Sequence, residues 1–352
     1  MYRLRDFSVD NAFAQVDFPK MRRGGVDASF FAAYIPPRLV GDAATEYARA
    51  LLSETERQVA LCSDSVAFAR CAGGVRRNRA AGLLSVILAI ENGSAIQESF
   101  DLLREFKKRG VRYITLTHSA DNQIADSCSG KGTWGGLSPF GRTLIPEMNR
   151  VGMMIDLAHS ADSTIRDVLS LSGAPVAYTH GCCRALASHR RNLSDELLRG
   201  IADNGGVACM SIYPCFLSDE FCRVLGESGL EQKSYVEDEF IADPANPAKR
   251  AAWEAVQREL MALPRPSASL VADHIEHAVS VAGIDHVGLG TDYDGIEVAP
   301  VGLETIEGFP LIFEELRRRS FSQKDISKIA GGNLLRVLKE VRKFSAQANR
   351  RR

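Results

Sequence analysis

The amino-acid sequence predicts an α/β protein in which parallel strands and helices alternate to form a barrel. Seven short apolar runs are bounded by polar residues, and each is followed by a segment with helical spacing, a pattern typical of buried parallel strands joined by helices. A length of 352 residues and a hydrophobic content of 45% are enough for one such barrel. We therefore expect a single domain over residues 1–352. The seven strands end at Ile35, Glu91, His118, His159, His180, Tyr213 and Asp292.

A closed barrel of the TIM type, (β/α)8, needs eight strands, one more than the pattern supplies. The missing strand falls at the N-terminus, because the residues up to Gly24 and Gly25 are polar and indicate a loop. We therefore expect the first strand of the barrel to be missing or truncated. The first strand that is recognised, residues 30–35, leads into a helix over residues 43–61.

The next two strands have polar ends. Residues 85–90 end beside Glu91 and precede a helix over residues 96–108, and residues 113–117 end beside His118. A loop rich in glycine and serine follows over residues 119–140. It is much longer than ordinary connections in such folds, so we expect it to cover the mouth of a site.

The stretch from Met153 to His180 organises the rest of the chain. Strands over residues 153–158 and 174–179 each stop at a histidine, and a helix over residues 161–171 joins them. Parallel strands joined in this way place their carboxyl ends side by side. His159 and His180 should therefore be able to bind a single ion.

The remaining elements follow the same alternation. Ser194 is a plausible N-cap, and residues 218–266 form a polar insertion that is a candidate lid. The predicted elements are helices at 144–151 and 194–203, a strand at 207–213, a helical patch at 253–260, a helix at 269–282, a strand at 286–291, and helices around Ile312 and Leu335.

The polar strand ends indicate a metal centre. Catalytic zinc takes about three nitrogen and oxygen ligands and leaves a position for water, and Glu91, His159 and His180 would supply such a set. A single histidine at one of these positions is more often a hydrogen-bonded core residue. Three histidines and a glutamate at consecutive strand ends favour the site. His189, His274, His277 and His286, and the adjacent Cys182 and Cys183, are expected to be structural.

Composition excludes several partners and locations. A net charge of −1 gives no reason to expect nucleic acid or an anionic membrane. The eight cysteines contain no C-x-x-C pair, no apolar run is long enough to span a membrane, and no signal peptide is visible. We expect a cytoplasmic protein with reduced thiols.

The motifs also carry a family resemblance. The chain resembles the membrane dipeptidase (renal dipeptidase) family of zinc metallopeptidases, peptidase family M19, over nearly its whole length. The segments that carry it are RRGGVDASFFAAYIP, AIENG, RYITLTHS, GLSPFG, VGMMIDLAHS, APVAYTH, SHRRN, VADHIEH, GLGTDYDG and GGNLLRV. The resemblance implies a distorted (β/α)8 barrel with two zinc ions, and hydrolysis of dipeptides with tolerance for D residues at the C-terminal position. A homodimer is left open.

The resemblance also implies roles for single residues. Glu91 matches the carboxylate that bridges the two metals, and His159 and His180 match the imidazoles of the second metal. His118 matches the histidine that contacts the substrate and the oxyanion, and Arg191 and Asp292 match the other two substrate-binding residues. Of these, His118 and Asp292 are the expected catalytic residues, Asp292 because it handles protons and the free amine.

This chain departs from the family in one important respect. The family's first strand ends in His-x-Asp, the remaining ligands of the first metal, and no histidine precedes His118 here. We expect that the recorded start omits this strand; the alternative is a catalytically impaired barrel. A related metal-dependent amidohydrolase acting on a non-peptide amide is a second alternative. Asn92 replaces a usual glycine, and Phe216 stands where an aromatic hydroxyl is often found.

Overall fold

A computed structural model gives the structure of residues 6–233 and 235–350. Within this part of the chain, eight strands form one sheet in which every pairing is parallel. The strands are β1 Ala28–Tyr34, β2 Val66–Phe68, β3 Leu84–Glu91, β4 Tyr113–Thr115, β5 Met154–Asp156, β6 Ala177–Gly181, β7 Val207–Met210 and β8 Val287–Leu289. All seven predicted strands are therefore confirmed, although β6 begins three residues later than expected and includes His180.

The same ranges contain the α-helices that surround the sheet. Ser194 caps its helix as expected, since its side chain accepts a hydrogen bond from the Leu197 N–H. The helices are α1 Phe18–Arg23, α2 Gly41–Leu61, α3 Ala72–Ala80, α4 Phe100–Arg109, α5 Pro139–Val151, α6 Asp162–Leu171, α7 Asp195–Asp203, α8 Pro214–Leu217, α9 Asp219–Ser228, α10 Tyr235–Ala242, α11 Pro247–Met261, α12 Ala268–Ala282, α13 Phe309–Arg318, α14 Gln323–Ser327 and α15 Asn333–Arg350. None of these helices is long and apolar enough to cross a membrane.

The sheet is curled into an open, distorted barrel of the TIM type. Its strand order is β1-β3-β4-β5-β6-β7-β8, and across the described residues β1 and β8 do not pair. The additional strand β2 does not close this gap. It pairs with residues 84–86 of β3, and β4 pairs with residues 89–91, so both lie along one edge of β3 while β1 takes the other.

The N-terminal segment packs against both sides of the open part of the sheet. The ring of Phe7 lies 5.2 Å from that of Phe31 in β1, and the backbone N–H of Gln15 donates to Asp294, beyond β8, at 2.9 Å. The expectation of a loop over the first 25 residues is wrong for Phe18–Arg23, which form α1. Asp17 caps this helix by accepting from the Lys20 N–H, and Pro19 stands in its first turn, where its fixed φ suits a helix.

The insertion at 218–266 is helical and has a small core of its own. Phe221, Leu225, Leu230 and Leu260 pack together with Val298. The expected helical patch at 253–260 lies inside the longer α11. Aromatic contacts join the insertion to the N-terminal segment, with the Phe13 ring 5.0 Å from Phe240 and 5.2 Å from Trp253.

Candidate active site

The predicted site residues lie at the carboxyl ends of neighbouring strands. Glu91 ends β3 and His180 lies in β6, whereas His118, His159 and Asp292 each follow a strand by three residues, namely β4, β5 and β8. Because β3, β4, β5 and β6 are consecutive neighbours and all parallel, four of these side chains are brought to one end of the sheet.

Glu91, His159 and His180 converge closely. Nε2 of His159 lies 3.1 Å from Oε1 of Glu91 and 3.0 Å from Nε2 of His180. Nε2 of His180 lies 3.4 Å from the same glutamate oxygen. The three side chains are only 8–13% exposed. Three potential ligand atoms thus face one another in a shielded position.

The orientation of His180 is fixed by a buried hydrogen-bond chain that begins at Asp156. This carboxylate is fully buried and accepts from the hydroxyls of Thr115 at 2.6 Å and Thr179 at 2.7 Å. The single hydroxyl proton of Thr179 is thereby used, so its oxygen accepts from Nδ1–H of His180 at 2.9 Å. The Nε2 lone pair of His180 therefore faces Glu91, as a metal ligand requires.

Sequence reasoning missed Asp156. The available signal was an ionisable residue inside the apolar run MMIDLAHS. Such a residue is costly to bury unless it is hydrogen-bonded, so it indicates a polar network behind the strand ends.

The spacing of the three ligand atoms suits a zinc ion. Tetrahedral zinc with bonds of about 2.0–2.2 Å places its ligand atoms about 3.3–3.6 Å apart, and the three separations found here, 3.0–3.4 Å, lie within or slightly below that range. Burial lowers the pKa of His159 and of His180 well below the usual value. Both imidazoles are therefore neutral, the form that binds a metal.

His118 belongs to the same cluster. Potential ligand atoms of Glu91, His118 and His159 all lie within 4.8 Å of one another, and the rings of His118 and His159 are 4.0 Å apart. Burial lowers the pKa of His118 as well. The geometry therefore offers two overlapping sets of three ligands that share Glu91 and His159.

Arg191 lies beside the histidines and keeps one donor unused. Its Nη1 donates to the Tyr178 hydroxyl at 3.0 Å and to the His180 carbonyl at 3.3 Å. Its Nη2 is buried and has no hydrogen-bond partner among the described residues. The guanidinium lies 5.1 Å from the centre of the Phe216 ring, which supplies no hydroxyl at this position. A buried cation with a free donor suits a carboxylate of a ligand.

Asp292 stands at the end of β8 in the left-handed region, with φ of 58°. Burial, followed by the negative charge of Glu91, raises the pKa of its carboxyl to about 8. The Asp292 carboxyl therefore retains a proton at a higher pH than an exposed aspartate does.

The long loop at 119–140 is tied to the backbone of His118 and of His159. The hydroxyl of Ser127 donates to the His118 carbonyl, and the N–H of Cys128 donates to the His159 carbonyl at 2.8 Å. The loop thus fixes the backbone positions from which the two imidazoles project.

The histidines expected to be structural have structural partners. His274 is buried, accepts from the Cys183 N–H at 3.1 Å and contacts the Leu217 carbonyl at 3.1 Å. Nε2 of His277 lies 2.8 Å from Asp195, and Nδ1 of His286 lies 2.9 Å from the Gly206 carbonyl. None of the eight cysteines is paired in a disulfide.

Comparisons with known proteins agree on one family. The family model for "Membrane dipeptidase (Peptidase family M19)" matches residues 1–352. Dipeptidase aclJ of Aspergillus oryzae is 32% identical over 352 residues, which cover 97% of this chain and 73% of that protein.

Two solved structures share the fold. The probable dipeptidase PvdM from Pseudomonas aeruginosa has a TM-score of 0.80 at 24% identity, covering 96% of this chain and 91% of that one. A metallo peptidase from Rhodobacter sphaeroides, liganded with a phosphinate mimic of L-Ala-D-Ala, has a TM-score of 0.77 at 23% identity, covering 94% and 91%.

Proposed function

The chain belongs to the membrane dipeptidase family and is a peptide hydrolase, and from this premise we propose that it cleaves dipeptides with a zinc-activated water. The observation that carries the proposal is the spacing of 3.0–3.4 Å among Glu91 Oε1, His159 Nε2 and His180 Nε2. Three buried donors at that spacing match one tetrahedral zinc shell with a position left for water. A zinc ion held there would lower the pKa of its bound water toward neutrality and so supply the nucleophile.

The other residues bind and orient the substrate. The unused Nη2 of Arg191 suits the C-terminal carboxylate of a dipeptide, which would fix the register of the scissile bond. His118, 4.0 Å from the His159 ring, is placed to stabilise the oxyanion that forms on the peptide carbonyl. In its ionised form, Asp292 would take a proton from the attacking water and deliver it to the leaving amine.

We further propose that the D configuration is tolerated at the C-terminal position. The Rhodobacter sphaeroides neighbour binds a mimic of L-Ala-D-Ala, and this motivates the comparison of stereoisomers here. The insertion at 218–266 would serve as a lid within the single domain, because its helices reach the N-terminal segment through Phe13.

The number of zinc ions decides between a full and an impaired enzyme. Among the described residues, Glu91, His159 and His180 supply one set of three ligands, and His118 forms a second set only by sharing Glu91 and His159 with the first. A catalytically impaired barrel is therefore the second candidate function, and metal stoichiometry separates the two.

The test combines metal content with substrate choice. The purified chain, stripped by a chelator and titrated with Zn²⁺, should bind at least one ion per chain and hydrolyse both L-Ala-D-Ala and L-Ala-L-Ala. An N-acyl amino acid serves as the comparison substrate. Turnover of that compound without turnover of either dipeptide would favour a non-peptide amidohydrolase. Zinc binding without any turnover would favour the impaired barrel.

A further inference from the structure

A basic cavity lies at the opposite end of the sheet from the candidate active site. Its volume is about 290 Å³, and four cationic side chains line it: Arg70, Lys107, Arg112 and Arg342. Arg112 directly precedes β4, whereas His118 lies beyond the other end of that strand. The two sites are therefore separated by the length of the strand.

The cations of this cavity lack carboxylate partners. None of the four makes an ion pair with a described residue, and no Asp or Glu among those residues lines the cavity. Arg112 is only 9% exposed. Its Nε donates to the Arg70 carbonyl at 2.8 Å, and its Nη1 donates to the Val111 carbonyl at 2.6 Å. Its Nη2 has no partner within the described ranges.

Burial and the neighbouring positive charges change the pKa of Lys107. Its ammonium donates to the Gly152 carbonyl, which uses one of three protons. Burial, followed by the charges of Arg112 and Arg342, lowers the pKa of Lys107 to about 7. Burial and Arg70 lower the pKa of Arg112 to about 10. A bound anion would relieve this repulsion.

The start of α3 contributes further positive potential. Cys71 is the N-cap of this helix and lines the cavity. Although burial opposes the shift, the N–H groups of Gly74 and Gly73 together with Arg342 lower the pKa of the Cys71 thiol. Backbone donors and cations thus favour negative charge at the same place.

We propose that this cavity binds a small phosphate-bearing anion. A phosphate offers several acceptor oxygens to converging arginine and lysine donors, and arginine forks match its geometry. A structural role as helix caps would account for the bonds of Lys107 and Arg112 to carbonyl groups. It does not account for the Nη2 of Arg112, which donates to no described residue, or for Arg342 at the cavity wall. Arg70 donates one bond, from Nη2 to the Arg109 carbonyl at 3.4 Å, and its other guanidinium donors have no described partner.

The test measures phosphate binding to the whole protein. In a phosphate-free buffer, inorganic phosphate and methyl phosphate are titrated separately by calorimetry, so that a free ion and a phosphate ester are distinguished. Saturable binding of either one is expected. Arg70→Gln/Arg342→Gln should weaken it by at least about tenfold, the size of one lost hydrogen bond to a charged group. Both residues are exposed, so the variant should fold.

A second readout locates the ligand. Alkylation of Cys71 by iodoacetamide, followed by peptide mass analysis, should be slowed by the same phosphate concentrations that saturate the calorimetric signal. The control is Arg318→Gln/Lys324→Gln, which removes two exposed charges from helices that do not line the cavity and should leave binding unchanged. The proposal is overturned if neither phosphate binds saturably, or if binding is unaffected in Arg70→Gln/Arg342→Gln.

Discussion

Two of the predicted site residues adopt backbone conformations that favour glycine. His159 has φ of 66° and Asp292 has φ of 58°, and such a conformation costs a non-glycine residue about 1 kcal/mol or more. The surrounding contacts maintain the conformation of His159, since its carbonyl accepts from the Cys128 N–H and its ring contacts Glu91 and His180. Strand-end position predicted these residues from the sequence. The turn that aims their side chains depends on tertiary contacts and could not be predicted.

The two overlapping ligand sets predict different outcomes for two histidine variants. If Glu91, His159 and His180 bind the zinc, His180→Gln should lower zinc affinity by at least about 100-fold, because both an imidazole ligand and its bond to Thr179 are lost. His118→Gln should retain the metal and lose turnover. Zinc titration by calorimetry, with kcat measured on the reconstituted variants, distinguishes them. Loss of zinc from His118→Gln with retention in His180→Gln would assign the ligands to Glu91, His118 and His159 instead.

At the scale of the elements, Asn92 joins three segments around the site. Its side-chain amide donates to the Ile35 carbonyl beyond β1 at 2.9 Å. Its Oδ1 accepts from the N–H of Ser94 at 3.1 Å and from the side chain of Asn122 in the long loop at 3.0 Å. The φ of Asn92 is 80°, a conformation that glycine adopts without strain, and this explains why glycine is usual at this position. Asparagine accepts the conformation and adds the hydrogen bonds.

Substitutions of Asn92 separate the strain from the hydrogen bonds. Asn92→Ala should lower the free energy of unfolding by about 2–4 kcal/mol, since it loses the buried bonds and places a Cβ at positive φ. Asn92→Gly loses the same bonds without that strain, so it should be about 1 kcal/mol more stable than Asn92→Ala. Denaturant unfolding of the three proteins measures both differences. Equal stability of the two variants would show that backbone strain contributes nothing here.

Whether a strand or helix could be predicted from the sequence depended on its length and on how regular its apolar pattern is. Bounded apolar runs located seven strands, six of them ending in a polar residue, and capping serines marked helix starts such as that of α7. The strand β2 was missed because three residues, VAF, carry no recognisable period. The sequence around α1 indicated a loop because its apolar residues are few, and only Asp17 and Pro19 marked a helix start. The convergence of Glu91, His159 and His180 followed from topology. The supporting chain through Thr179 and Asp156 required coordinates.

At the scale of the whole molecule, the two ends of the sheet carry different ionisable groups. Its carboxyl ends gather Glu91, neutral imidazoles and the buried Arg191. At its amino ends lie four cations that make no ion pair with a described residue. The overall net charge of −1 conceals this division. Composition gave no reason to expect a basic site, and it could not reveal this cavity, because Arg70, Lys107, Arg112 and Arg342 come together only through the fold.

The cost of burying Lys107 among cations makes stability depend on pH. Its pKa of about 7 in the folded chain lies below the ordinary value of 10.5. Between these values the unfolded chain binds a proton that the folded chain does not, so the free energy of unfolding rises with pH, by up to about 1.4 kcal/mol per unit. The loss of stability caused by burying Lys107 is largest below about pH 7 and decreases as pH rises toward 10.5.

Lys107→Met should remove that slope. Denaturant unfolding at several pH values between 7 and 10, in phosphate-free buffer, gives the difference in unfolding free energy between wild type and variant. The free energy of unfolding of wild type should increase relative to that of the variant as pH rises. The hydrogen bond to the Gly152 carbonyl that the variant loses does not titrate, so it adds only a constant difference. Lys108→Met, the exposed neighbour on α4, is the matched control. Saturating phosphate should flatten the wild-type curve, since a bound anion raises the pKa of Lys107. A difference independent of pH would mean that Lys107 retains its proton on folding and that its charge is compensated within the cavity.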